Sequence, residues 1–187
     1  QPFFHNDLSF MTANFKLSSQ DPSLLTNLQR TTILLTLTMV TMLYAMTVTI
    51  ANVALPQMQG SLSATQDQIA LVVTFNIVAT AAATPLAGWL VARLGRRQVM
   101  VAAVLIFAIA SLFCGMANSV EELVFYRVIQ GASGAPLVPV SQAIVVDTYP
   151  KEQHGRVTAI WGVGVILGPI IAPTLGGYLT ETLNWRW

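Results

Sequence analysis

An all-α, polytopic membrane helix bundle is the fold class this sequence predicts, on three observations: long charge-free runs, a composition poor in charge, and cations gathered on alternate connections. Between Thr31 and Tyr178 four stretches contain no Asp, Glu, Lys or Arg, and a fifth is broken only by Arg127. Hydrophobic residues make up 54% of the chain and charged residues 9%, against about 25% charged in soluble domains; the mean hydropathy is +0.63. A spanning helix needs about 20 mostly apolar residues. Each run meets that length, and a large soluble helical core does not carry so many of them.

The spans fall near Ile33 to Val53, Gln68 to Val91, Val99 to Ala117, Leu123 to Val146 and Val157 to Leu179. Residues 1–30 read as a cytoplasmic N-terminal segment and residues 31–187 as the transmembrane bundle. Lys16 and Arg30 precede the first span, Arg93, Arg96 and Arg97 separate the second and third, and Lys151 and Arg156 separate the fourth and fifth. By the positive-inside rule that side is cytoplasmic, in a plasma (inner) membrane. The opposite connections hold Asp67, Glu121, Glu122 and Glu181, with Arg186 their single cation.

The first 30 residues lack the pattern of a removable signal peptide, so the first span is its own targeting signal. Met11 is a plausible start for a chain that opens on Gln1. Five spans would leave the C-terminus outside, at the cluster Trp185, Arg186, Trp187, which reads as an interfacial anchor and as the end of an incomplete piece. His5 and His154 are too far apart to suggest a metal site. The lone Cys114, mid-span, is expected to be a small packing residue.

Polar residues inside the spans carry the functional signal. An arginine in the bilayer interior is costly, so Arg127 is expected to face a bundle interior or an aqueous cavity and to have a partner; the alternative is snorkelling to the outer interface. Gly131 and Ala135 follow at four-residue spacing, a small-residue face, and Gln130 is a polar neighbour one turn away. In the fifth span Gly164, Gly168, Ala172 and Gly176 recur every fourth residue, permitting close backbone contact that serves either transport or plain packing. Pro169 and Pro173 remove backbone donors and are expected to bend that helix. Thr41, Ala45, Thr49 and Asn52 share a face of the first span. Thr41, Thr49 and Asn52 are candidates to line a pathway, or else bond their own backbone and neighbouring helices. The segment Gly88 to Gln98 reads as a short basic connection made tight by its glycines.

In this order the stretches resemble the major facilitator superfamily, and within it the drug:proton antiporters with fourteen spans. The resemblance rests on Thr49-Ile-Ala-Asn-Val-Ala-Leu-Pro56, on Gly88 to Arg97, on Arg127-Val-Ile-Gln-Gly131, and on Gly164-Val-Ile-Leu-Gly-Pro169 through Gly176-Gly177. It implies that Arg127, Gln130 and Gly131 serve proton transfer. It implies too that the fifth-span residues Gly164, Gly168, Pro169, Ala172, Pro173, Gly176 and Gly177 serve antiport. A conformational lock would be made by Gly88, Arg93, Gly95, Arg96 and Arg97, with Asp147 and Arg156 joining its charge contacts. Two acidic positions of the family's pattern are Thr47 and Ala92 here. The coupling carboxylate then lies outside this chain, or Asp147 serves, or coupling is altered.

The function so implied is proton-driven efflux of hydrophobic or cationic compounds by alternating access, in which helix bundles rock around a midplane site. Protons, small substrates and the lipid bilayer are the expected partners; a periplasmic adaptor is left open, and neither a cofactor nor nucleic acid is called for. The second reading is a non-transporting membrane protein or the remnant of a disrupted transporter gene. An enzyme is disfavoured, since no nucleophile–base pair, metal cluster or phosphate-cradling loop has a suitable setting.

Overall fold

The computed structural model describes residues 25–186; His5, Met11, Lys16 and Trp187 lie outside the described residues. Helix α1, Asn27–Ser61, starts where Thr26 and Gln29 close a reciprocal cap: the Thr26 side chain accepts from the Gln29 amide, and Gln29 Oε1 accepts from the Thr26 amide. Thr65 and Gln68 repeat the device at the start of α2, Gln66–Leu94. Each box satisfies two amide donors that a helix start otherwise leaves free.

The basic connection differs from its sequence reading. Gly88 does not turn the chain; α2 runs on as helix to Leu94, and Gly95 alone separates it from α3, Arg96–Met116. Gly95 has φ 84° and ψ 152°, a conformation that only glycine adopts without steric cost. One residue therefore makes the whole reversal.

The fourth span also differs. Instead of one rod, it comprises α4, Val120–Gly134, and α5, Leu137–Thr148, parted at Ala135 and Pro136. Pro136 and Pro139 have no N–H to give to residues 132 and 135, so two rungs of the ladder are missing although both parting residues keep helical dihedral angles. Ser119 starts α4 by accepting from the Glu122 amide, while the Glu122 side chain accepts from the Asn118 amide. Glu121 and Glu122 then lie in the first turn, where negative charge suits the helix dipole. A 3₁₀ turn, Lys151–Gln153, leads into α6, His154–Thr182, which continues unbroken through Pro169 and Pro173.

Helix α1 lies along α6, and α4 lies against α2 and α3. Two apolar cores form at opposite ends of the bundle. One, near the Gly95 end, joins Leu34, Leu37, Met100, Leu137, Val140, Val157 and Trp161. The other joins Ala54, Met58, Ile69, Val72, Cys114, Val120 and Leu123. At that second end Arg186, stacked on Trp185, donates to the carbonyls of Gly115 (3.0 Å) and Ala117 (2.6 Å), which close α3. The outward surface is apolar, with Leu105, Ile109, Leu112, Ile166 and Ile170 all exposed, as suits helices whose backbone bonds are internal and whose surround is lipid. Five helical spans of this length and composition make the chain a multi-pass integral membrane protein.

Candidate functional site

Between the two apolar cores lies a polar layer. Arg127 follows Leu123 by one turn on α4, Asn76 follows Val72 by one turn on α2, and Ser111 precedes Cys114 by one turn on α3. Helical periodicity thus sets all three side chains inward, at one level. Arg127 is buried, 7% exposed. Its NH1 donates to Gln130 Oε1 at 3.0 Å, and Gln130 Nε2 donates to Ser111 Oγ at 2.7 Å. The guanidinium thus ends on a side-chain network inside the bundle that joins α4 to α3. Arg127 Nε is buried without a hydrogen-bond partner.

Helix α2 holds the backbone behind this side chain. Asn76 Nδ2 donates to the Arg127 carbonyl at 2.8 Å, and Thr80 Oγ1 donates to the Gly131 carbonyl at 3.0 Å. That approach needs glycine: a Cβ on Gly131 would run into the Asn76 carbonyl oxygen and lie 2.9 Å from Thr80 Oγ1. Gly134 does the same on another side, where the Tyr44 ring packs edge-on to Phe107 and meets Gly134. Asn76, Thr80, Ser111 and Gly134 were not legible as site residues in the sequence, because their roles depend on which helices meet.

The fifth-span residues build a second seam. Gly164, Gly168, Ala172 and Gly176 are all buried against α1. A Cβ at Gly164 would strike the Thr38 side chain, one at Gly168 would lie 2.7 Å from the Met42 carbonyl oxygen, and one at Gly176 would lie 3.2 Å from Ile50. Pro169 and Pro173 are exposed, each next in sequence to a seam residue, and Gly177 has open space around it.

The first-span stripe is split. Thr41 is fully buried, its hydroxyl shared by the Leu37 and Thr38 carbonyls; Thr49 bonds the Ala45 carbonyl; Asn52 is exposed. Of the basic motif, Arg96 forms an ion pair with Asp147 across to the end of α5, and reaches the Ala143 carbonyl. Arg93 lies 4.8 Å over the Trp89 ring. Arg97 and Arg156 are exposed, and Gly88 faces open space within α2. Asp147 lies at a helix end, not beside Arg127. His154 Nε2 is 2.8 Å from the Tyr149 carbonyl oxygen, and among the described residues no group of three His, Cys, Asp or Glu side chains could hold a metal ion.

Five spans packed around an inward-facing arginine, with a glycine seam along two long helices, define an all-α membrane bundle. Residues 37–187 match the Major Facilitator Superfamily, and the chain belongs to that family. It is 37% identical over 153 residues to the multidrug export protein EmrB of Haemophilus influenzae, covering 82% of this chain and 30% of that protein. The Escherichia coli K12 protein of the same name is 39% identical over 151 residues, covering 81% and 30%. The fatty acid resistance protein FarB of Neisseria gonorrhoeae is 38% identical over 139 residues, covering 74% and 27%. This chain therefore spans under a third of the length of these relatives. The crystal structure of a bacterial homologue of the human lysosomal transporter Spinster, inward-facing and unoccupied, superposes with a TM-score of 0.68 at 23% identity, over 84% of this chain and 37% of that one; this likeness is one of fold.

Proposed function

We propose that the chain is part of the N-terminal half of a proton-driven efflux permease, exporting small hydrophobic compounds, cationic ones among them, in exchange for protons. The observation that carries the reading is the buried Arg127, linked through Gln130 to Ser111. A cation held inside a membrane bundle is costly and is kept for ion or proton pathways. The glycine seam between α1 and α6 supports the antiport assignment, since close small-residue contacts suit helices that shift or seal during alternating access. Relatives named for multidrug export and for fatty acid resistance support a small-molecule cargo.

The membrane is proposed to be the inner membrane, with the N-terminus and the Gly95 end cytoplasmic, because seven of the nine cations fall on that side. In a Cys114→Ala background, Ala64→Cys is expected to react with an impermeant thiol reagent in intact cells and Gln98→Cys to stay unlabelled. The opposite pattern overturns the orientation.

The deciding experiment for function uses the complete permease in energised vesicles at matched abundance. Arg127→Ala is expected to abolish proton-driven efflux. Arg127→Lys is expected to retain part of it, because lysine keeps the charge and loses the planar multidonor fork. An alanine variant with normal efflux and normal pH dependence removes Arg127 from coupling.

A further inference from the structure

We infer that Ser111 of α3 is a positioning residue for Arg127, acting through Gln130; the inference rests on the reading of Arg127 as the coupling cation. Donor and acceptor chemistry fixes the direction of the chain. Arginine can only donate, so the side of the Gln130 amide turned to NH1 must be its oxygen, and its NH₂ must face Ser111. Ser111 therefore has to accept. It is free to do so because its own hydroxyl hydrogen is spent on the Phe107 carbonyl at 2.7 Å. Arg127, Gln130, Ser111 and Phe107 thus form one run of hydrogen bonds, each donating to the next, that ends on the backbone of a different helix.

The anchor matters because nothing else described holds the head of Arg127. Asn76 and Thr80 bond the backbone of α4 and leave the guanidinium untouched. With NH1 committed to Gln130 and Nε lacking a hydrogen bond, the Ser111 link sets which edge of the fork stays available to a group whose charge changes. Of the helices against α4, α2 presents an amide and a hydroxyl here, while α3 presents the Ser111 hydroxyl and carries the buried Cys114 thiol one turn further along. Glu121 and Glu122 sit at the start of α4 and Asp147 at the end of α5.

The test is the pH profile of substrate–proton exchange by the complete permease in vesicles, in a Cys114→Ala background so that the thiol contributes nothing. Ser111→Ala is expected to slow exchange about fivefold, the value of one ordinary hydrogen bond, and to shift the midpoint of the profile. Ser111→Thr, which keeps a hydroxyl able to make both bonds, is expected to restore rate and midpoint. In an Arg127→Lys background Ser111→Ala is expected to add little, because the two changes break one network. The inference falls if Ser111→Ala leaves the profile in place, whether or not the rate drops, or if threonine fails as alanine does. It falls alone when Arg127→Ala is still inactive, whereas normal exchange by Arg127→Ala overturns the underlying reading of the arginine.

Discussion

Two seams hold this bundle together, and they use glycine for opposite ends. Between α1 and α6, Gly164, Gly168 and Gly176 bring backbone against Thr38, Met42, Met46 and Ile50, with Ala172 fully buried among them. The contact is largely apolar and rich in flexible methionine, so its energy comes from many weak contacts without a preferred register. Between α2 and α4, Gly131 brings two helices just as close, but Asn76 and Thr80 then bond the α4 carbonyls directly. A hydrogen bond has a required distance and angle. The first seam has no such bond among the described contacts, whereas the second fixes α4, and Arg127 with it, to α2.

The sharpest way to break the contrast is to add bulk on both sides of it. Gly131→Leu is expected to be the most damaging change, because the new carbon meets the backbone oxygen of Asn76, which cannot rotate away. Overpacking typically costs about 1–3 kcal/mol, and the upper end or beyond is expected here; monodispersity and thermal stability of the complete protein in detergent would report it. Gly168→Leu is expected to keep insertion and lose most export, since leucine is favourable in a spanning helix and the flexible side chains of Met42 and Met46 form part of its surroundings. Ile170→Leu, exposed on the opposite face, is the control. Equal export by both variants at matched abundance removes the seam from the transport cycle.

Smaller effects sharpen the comparison. Asn76→Ala is expected to lower stability by about 0.6–2 kcal/mol, the range for one hydrogen bond between membrane helices, with the loss visible as a lower melting temperature. Smallest of all is the Arg96–Asp147 pair, half exposed at 42% and 61%. Arg96→Gln is expected to change stability by no more than about 1 kcal/mol, less at high salt. Exchanging the two charges, Arg96→Asp with Asp147→Arg, is expected to restore what is lost.

The helices were legible because charge-free length is a strong signal: the capped start at Thr65 falls one turn before the expected second span, although that at Thr26 lies about two turns ahead of the expected first. The α6 face was legible for a related reason, since every-fourth-residue spacing states a helix face without reference to any partner. What escaped was local punctuation and cross-helix pairing. Glycine at position 88 suggested a turn, yet inside a long apolar helix it costs little and the turn waits for Gly95. Pro136 and Pro139 did signal the break in the fourth span, by removing two donors three residues apart, but apolar continuity masked it. Asn76, Thr80 and Ser111 look like ordinary small polar residues until α2, α3 and α4 come together.

The single-residue reversal at Gly95 has a consequence for length. From that shared corner, 29-residue α2 extends about 44 Å and 21-residue α3 about 32 Å at a rise of 1.5 Å per residue. A hydrocarbon layer is about 30 Å thick. Helix α3 therefore matches the layer standing upright, while α2 is long enough only if it leans or overhangs. The far end of the shorter rod is the place where Arg186 comes down onto the Gly115 and Ala117 carbonyls, and Arg96 stands at its near end. With a cation at each end and about one layer's depth between them, α3 has the dimensions of a span that stands upright with both ends at the lipid headgroups.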